Sequence, residues 1–326
     1  MDPLSDVLSL LKPWSYISGG FEVGGGTAVQ FPKHQGVKCY AVVSGRCWLS
    51  VEGVPDAVLL TAGDCFLLPR GLPFCLATDL SLTPVDFQAF LAAQKNGDAV
   101  SLGEGGGHYI VGGHFAFSGS HADMLLGSLE PIVHLRKESD KAALRWSLER
   151  MKEELQHPQP GGSLIAQQLA TMMLVQALRL HLAGEAAGRG VGWLFALADK
   201  QVGAAITCMH DDPGHAWTLQ KLAGRVGMSR SVFALKFKEK VGATPMEYLT
   251  RWRMLLAGDR LKNSGDSISA IGLSLGYESD SAFGKAFKRV MGCSPKQYSR
   301  GSGSAPRSPA AIEASYDRPM ELAAVR

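Results

Sequence analysis

A short phrase of the sequence occurs twice in the C-terminal half of the chain, 50 residues apart. One copy runs from Gly227 to Tyr248 and the other from Gly276 to Tyr298. Each contains a serine, a Phe-x3-Phe-Lys motif, a glycine and a Ser/Thr-Pro pair. A glycine turn, a capping serine and apolar residues at i and i+4 are typical of a helix-turn-helix unit. The repeat therefore predicts two tandem units of this kind, and no other feature constrains the fold as strongly.

The two units are expected at about residues 218–241 and 267–290, joined by a helix from Thr244-Pro245 to about Lys262. A helix of that length would hold two recognition helices in successive major grooves, about 34 Å apart. The candidate DNA-binding residues occupy exposed positions of the second helix of each unit. They are Arg230, Ser231, Ala234, Leu235 and Lys238, then Ser281, Gly284, Lys285 and Lys288.

Charge supports a nucleic-acid partner for this half. Residues 193–300 carry 16 basic and 9 acidic residues, whereas residues 1–192 carry 14 and 18. Phosphate neutralisation by such residues supplies non-specific affinity for DNA, although a merely solvated basic surface has the same composition. An ordinary helical bundle also explains each Phe pair taken alone. Such a bundle does not explain why the turns, caps and exposed positions are duplicated together, which favours DNA binding.

The N-terminal half has a different pattern. Short apolar segments at 40–43, 47–51, 57–60 and 65–69 alternate with glycine turns, which predicts a β-sandwich or barrel. Two amphipathic helices are expected at 141–156 and 163–183. Residues of the second helix form a wide apolar stripe, which fits either a purely intramolecular core or a barrel on one side and a second subunit on the other. The members of the stripe are Leu164, Gln168, Met172, Val175 and Leu178, and Leu169, Met173 and Leu180 widen it.

The six cysteines form no CxxC pair and no zinc spacing, so we expect free thiols; a redox sensor made of Cys39 and Cys47 is the alternative. The chain starts without a signal-peptide pattern and contains no run of 18 apolar residues. We therefore expect a cytoplasmic protein without a membrane partner.

The second copy of the phrase, Gly276 to Tyr298, resembles the signature of AraC/XylS-type transcription regulators, and the resemblance covers 193–300. It implies a regulator, usually an activator, that binds double-stranded promoter DNA, contacts RNA polymerase and forms a homodimer. Base contacts are implied for Ser231, Ala234 and Leu235 and for Ser281, Gly284 and Lys285. Leu235 stands where relatives often carry Arg, which implies weaker readout by the first unit or a preference for thymine methyl groups.

Residues 15–135 resemble the cupin-type sensing domain found in one branch of that family. Metal-binding cupins need several histidines, but the first motif region holds only His34, and Phe74 stands at the histidine position of the second. We therefore predict no metal, no cofactor and no catalytic residues, and a small-molecule effector in the barrel. The predicted lining is His34, Lys38, Tyr40, Trp48 and Phe74. Surface or locally satisfied positions are expected for His108, His114, His121 and His134.

The predicted fold class is α+β multidomain. It comprises a cupin-like β-barrel at 1–136, a helical dimerisation segment and linker at 137–192, an all-α DNA-binding domain at 193–300 and a disordered tail at 301–326. The predicted function is sequence-specific transcription regulation under the control of a small molecule. The alternatives are a cupin-fold enzyme, or a ligand-free dimerisation barrel, fused to the DNA-binding domain.

Overall fold

The computed structural model describes residues 2–11, 14–87, 101–102, 107–116, 129–183 and 190–300. Predicted features at His121 and 301–326, and most of the linker at 184–192, lie outside these ranges. The described residues form two compact units. One, within 13–117 and 129–184, contains the strands; the other, within 1–12 and 185–308, contains most of the helices. A first helix, α1 (Pro3–Leu11), precedes the strands.

Eleven strands of the described residues form two sheets. Their bounds are β1 Trp14–Val23, β2 Ala28–Phe31, β3 Val37–Ser44, β4 Arg46–Val51, β5 Val58–Thr61, β6 Cys65–Leu68, β7 Phe74–Ala77, β8 Val85–Asp86, β9 Ser101–Leu102, β10 His108–Ala116 and β11 Val133–Leu135. The order is β11-β6-β3-β10-β1-β9 in one sheet and β5-β4-β7-β2-β8 in the other. Alternate residues of both sheets share one apolar core, which includes Phe66, Phe74 and Leu49. The predicted strands lie at β3 to β6, as expected.

Two long helices follow, α2 (Glu138–Gln156) and α3 (Gly162–Ala183), close to the predicted bounds. They pack on each other, and α3 also lies against β1. The predicted stripe of α3 divides between two faces. Leu178 is buried together with Leu169 and Met173, whereas Leu164 and Met172 are exposed. The helix therefore has one apolar face on the sheet and a second one towards solvent.

Eight further helices of the described residues form the helical unit. They are α4 Trp193–Ala196, α5 Lys200–Asp211, α6 Leu219–Arg225, α7 Arg230–Val241, α8 Pro245–Asn263, α9 Ile268–Ser274, α10 Asp280–Met291 and α11 Pro295–Ser299. The two helix-turn-helix units are confirmed as α6-α7 and α9-α10, and α8 is the predicted connecting helix. The sequence-based boundary places residues 1–136 together, whereas α1 packs in this unit against α5 and α8 because Leu4, Val7 and Leu8 are buried there.

Candidate nucleic-acid interface and effector site

Local signals in the sequence fix the start and end of each candidate recognition helix. Gly227 and Gly276 have φ of 67° and 79°, the left-handed region that a sharp turn requires. The side chains of Ser229 and Ser279 then accept hydrogen bonds from the backbone N–H groups of Val232 and Ala282. Gly242 and Gly292, with φ of 80° and 79°, end the two helices, so α7 and α10 have the same length of 12 residues.

Phenylalanine pairs anchor one face of each recognition helix. Phe233 and Phe237 of α7 and Phe283 and Phe287 of α10 are completely buried. As a result, the residues of 229–247 and 279–297 have matching burial at every position, at a constant offset of 50 residues. The duplication therefore holds for the three-dimensional surface as well as for the sequence.

The nine predicted DNA-binding residues all lie away from these apolar faces. Seven are exposed, and the two small ones, Ala234 and Gly284, are half-buried. Leu235 keeps 62% of its side chain exposed, so this large apolar residue has no core role. Within the described part of the chain, Lys238, Lys285 and Lys288 form no ion pair. Three ammonium groups of this surface are therefore available to a polyanion.

Lys236, which also lies on α7, has a structural role instead. Its ammonium lies 2.8 Å from Asp199 and donates a hydrogen bond to Gln201, both at the start of α5. The hydrogen bond from Lys236 and those from the Val202 and Gln201 N–H groups keep the pKa of Asp199 below its ordinary value, although burial opposes this shift. Sequence reasoning could not assign this role, because α5 is distant in the chain.

The surfaces of the two units differ in charge at the first helical position. Arg230 begins α7, whereas the matching residue of α10 is Asp280. The Asp280 carboxylate accepts a hydrogen bond of 2.6 Å from the Ser269 hydroxyl, which ties α10 to α9. The sequence prediction omitted Asp280, although its offset of 50 from Arg230 was a usable signal. The second unit therefore brings a carboxylate close to its basic surface.

In the sheet unit, four of the five predicted effector residues lie together inside the core. Lys38 and Tyr40 point inward from β3, and Phe74 of β7 stacks on Phe31 of β2 at 4.5 Å. The Lys38 ammonium lies over both rings, 4.7 Å from the centre of Phe74 and 5.2 Å from that of Phe31. His34, in the loop after β2, is buried edge-on to Phe74 at 6.1 Å.

The fifth residue, Trp48, does not join this group. On β4 the buried residues Cys47, Leu49 and Val51 face the core, so Trp48 lies on the opposite face and is half-buried. His114 joins instead. It stands directly opposite Lys38 in the β3–β10 pair, and its Nε2 is hydrogen-bonded to the Tyr40 hydroxyl. Its Nδ1 is sealed from solvent, although the residue as a whole is half-buried. Only the register of β3 and β10 shows that His114 belongs to this group.

Among the described residues, Lys38 and His34 have no carboxylate partner. Burial lowers the pKa of Lys38 to about 7. Burial and the neighbouring Lys38 charge lower the pKa of His34 to about 3, and only a backbone group of Gln35 acts in the opposite direction. The same two causes, followed by His34, hold the pKa of His114 well below its ordinary value. The two rings are therefore neutral at pH 7.

Other histidines have local partners. His108 accepts a hydrogen bond from the Arg46 N–H group, and His134 lies 3.1 Å from Asp64, which also pairs with Lys141. Across the described ranges, no group of three or more His, Cys, Asp or Glu residues is placed to hold a metal ion. None of the helices in these ranges is long and apolar enough to cross a membrane.

The thiol next to Cys39 is that of Cys65, and not that of Cys47 as a redox sensor made of Cys39 and Cys47 would require. Cys39 lies beside Cys65, with 4.0 Å between the sulfur atoms, whereas Cys47 packs in the core between the sheets. The contact with Cys65 and burial raise the pKa of the Cys39 thiol, and burial raises that of Cys47 to about 12. Neither thiol is thus a ready thiolate at neutral pH.

Comparisons with known proteins agree with both parts of this description. Residues 2–183 match a family described as Cupin, and residues 222–301 match one described as Helix-turn-helix domain. The chain is 43% identical over 300 residues to a Streptomyces lividans protein named as an AraC-like transcription regulator, which covers 91% of this chain and 98% of the relative. A Streptomyces antibioticus protein of the same name is 42% identical over the same shares. The HTH-type transcriptional regulator AlkR of Acinetobacter baylyi is 32% identical over 73% of this chain and 79% of its own.

Proposed function

This chain belongs to the AraC-like transcription regulators, and from that premise we propose that α7 and α10 read promoter DNA while a small molecule bound between the two sheets controls the regulator. One observation carries the proposal for DNA. The two recognition helices present the same pattern of buried and exposed positions but different exposed side chains. Two helices with the same buried face and different base-contacting side chains suit a DNA site whose two halves differ in sequence.

The side chains of each helix indicate what that helix reads. Lys285 is a flexible donor that suits the O6 and N7 acceptors of guanine in the major groove. Leu235, at the matching position of α7, offers only apolar contact and suits the methyl group of thymine. Gly284 lacks a side chain, so the backbone of α10 can approach the bases more closely than that of α7 at Ala234. The second unit is thus proposed as the one that reads guanine.

A pair of lysines on α10 tests this assignment. A site is first selected from random duplexes with the full chain, and affinities for that site and for unrelated DNA are then compared. Lys285→Ala is expected to weaken binding to the selected site about 10- to 100-fold, with little change on unrelated DNA, because it removes a base contact. Lys288→Ala, the matched control one helical turn later, should weaken both equally and lower the salt slope by about one. An equal loss on both DNAs for Lys285→Ala contradicts base reading.

The exposed face of α3 supports a homodimer as the DNA-binding form. Leu164 and Met172 keep 60% and 43% of their surface exposed, eight residues apart on one side of the helix, and Ile165 lies beside them. We expect Met172→Glu to convert a dimer to a monomer in sedimentation equilibrium. Gln167→Glu adds the same charge at an exposed position of the same helix and should leave the dimer intact. A monomeric wild-type chain at micromolar concentration contradicts the proposal.

We further propose that the protein activates transcription by contact with RNA polymerase, as the family resemblance implies. The named relatives are transcription regulators, which favours this role over that of an enzyme. Transcription in vitro from a promoter that carries the selected site, with and without the protein, is the direct test. An increase in transcript supports activation, and a decrease identifies a repressor.

A further inference from the structure

Lys38 is a buried lysine without a counter-charge. Only 4% of the residue is exposed, and its side chain points into the core between the sheets. Within the described residues its ammonium has two aromatic rings as neighbours and neither a hydrogen bond nor an ion pair. A buried ammonium is costly unless an anion pairs with it, so such residues are uncommon in cores.

The surroundings of Lys38 are suited to a ligand rather than to a missing protein partner. The polar groups that face it, His34, Tyr40 and His114, include no carboxylate. Neither nitrogen of His34 has a hydrogen bond of good geometry among the described residues, although both are sealed. A cation, a spare donor and apolar rings thus converge on one point.

We propose that Lys38 anchors the carboxylate of a small organic acid whose apolar part packs on the rings of Phe31 and Phe74. The inference rests on the proposed control by a small molecule and names the chemical class of that molecule. A single carboxylate supplies the one negative charge that Lys38 lacks, and His34 offers a second donor to the other oxygen. The aromatic rings would hold the hydrocarbon part, as in most small-molecule sites.

Matched pairs of acids and amides test the role of the charge. The melting temperature of the full chain is measured with benzoate against benzamide, and with hexanoate against hexanamide. At ten times its dissociation constant, an acid is expected to raise the melting temperature of the sheet unit by about 3 °C, and its amide to have no effect. If no acid stabilises the protein more than its amide does, the inference is overturned.

Two variants connect the effect to Lys38. Lys38→Met keeps the length of the side chain without its charge, so we expect it to abolish the response to the acids. Because a buried unpaired charge is removed, the ligand-free variant should melt at the same or a higher temperature than the wild type. Lys33→Met, at an exposed position of the loop before β3, should keep the full response. A full response in Lys38→Met overturns the inference.

A second measurement follows proton uptake on binding, first in the wild-type chain and then in Lys38→Met. A bound carboxylate favours the charged ammonium, so calorimetric titration at pH 8 in two buffers of different ionisation enthalpy should detect the uptake of nearly one proton with benzoate. His34 and His114 face the same point, and loss of the uptake in Lys38→Met assigns it to the lysine. Binding of the acid without proton uptake, together with an unchanged affinity in Lys38→Met, contradicts the inference.

The outcomes separate this inference from the proposed function. If an acid and its amide stabilise the chain equally, a small-molecule site exists but Lys38 is not its anchor. If the acids bind through Lys38 and leave the affinity for the selected DNA site unchanged, the inference stands and the proposed control of the regulator fails.

Discussion

The two helix-turn-helix units share a sequence phrase, but the tyrosine that ends it is buried more deeply in the first unit than in the second. Tyr248 ends the first copy; it is 2% exposed and its hydroxyl lies 2.8 Å from His210 Nε2. Tyr298 ends the second copy and is half-buried, with the Lys262 ammonium 4.5 Å above its ring. Both rings nevertheless meet the preceding phenylalanine edge-on, Phe237 at 5.9 Å and Phe287 at 5.4 Å. The two units thus have the same core, but the core of the first unit is shielded more completely from solvent at this tyrosine.

Helices outside the repeat cause this difference. α5 packs on the first unit and α1 packs on α5 and α8, whereas the described helices place no counterpart over the second unit. His210 of α5 connects these layers: it stacks on Trp252 at 3.8 Å and lies 3.3 Å from Asp6 of α1. Since burial lowers the pKa of His210 to about 3, the ring is neutral at pH 7. The partners then indicate a tautomer in which Nδ1–H donates to Asp6 and Nε2 accepts from Tyr248.

The core of the less covered unit provides the largest expected effect. Phe237→Ala and Phe287→Ala each remove a completely buried ring, at a cost of about 3–5 kcal/mol in the free energy of unfolding. We expect Phe287→Ala to unfold α9 to α11 while α5 and α6 keep their amide protection, because α5 belongs to a separate core. Amide hydrogen exchange of both variants checks this. Uniform loss of protection across the helical unit would show that the two cores are not independent.

The pH dependence of stability should differ between the two units. His210 has a lowered pKa, so the unfolded chain binds the proton more readily between about pH 6.5 and pH 3. The contribution of neutral His210 to the free energy of unfolding of the first unit is therefore fully present above pH 6.5. It decreases as the pH falls, by about 2 kcal/mol at pH 5. The raised pKa of Asp6, due mainly to burial, has the opposite effect but only nearer its ordinary value of 3.8.

Amide exchange of α5 and α10 at pH 5 and pH 8, in the wild type and in His210→Gln, measures this difference. The variant should lose the pH dependence in α5, and the half-exposed His215→Gln should keep it. Equal sensitivity of α5 and α10 to pH in the wild type contradicts a role for His210.

The smallest effect concerns the two tyrosine hydroxyls. Tyr248→Phe leaves buried His210 without its donor and should cost about 1–2 kcal/mol in the free energy of unfolding. Tyr298→Phe removes a hydroxyl from a half-buried ring and should change that energy by less than about 0.5 kcal/mol. Urea denaturation of the two variants gives the comparison. Equal losses would mean that coverage by α5 and α1 does not strengthen the first unit.

The sequence by itself determined the elements and their duplication. Caps at Ser229 and Ser279, turns at Gly227 and Gly276 and Phe pairs at i and i+4 act within a few residues, so each copy specifies its own helices and buried face. The positions of all nine proposed DNA-binding residues away from the core follow from the same local periodicity, as do the strands β3 to β6.

Only the tertiary structure decided which distant residues meet. His114 faces Lys38 because of the register of β3 and β10, and Trp48 lies outside the core because of the pleat of β4. Neither follows from periodicity, since a shift of one residue would exchange the two faces of a strand. Likewise, Tyr248 and Tyr298 occupy the same place in the repeated phrase, and their different burial depends on α5 and α1, which pack from elsewhere in the chain.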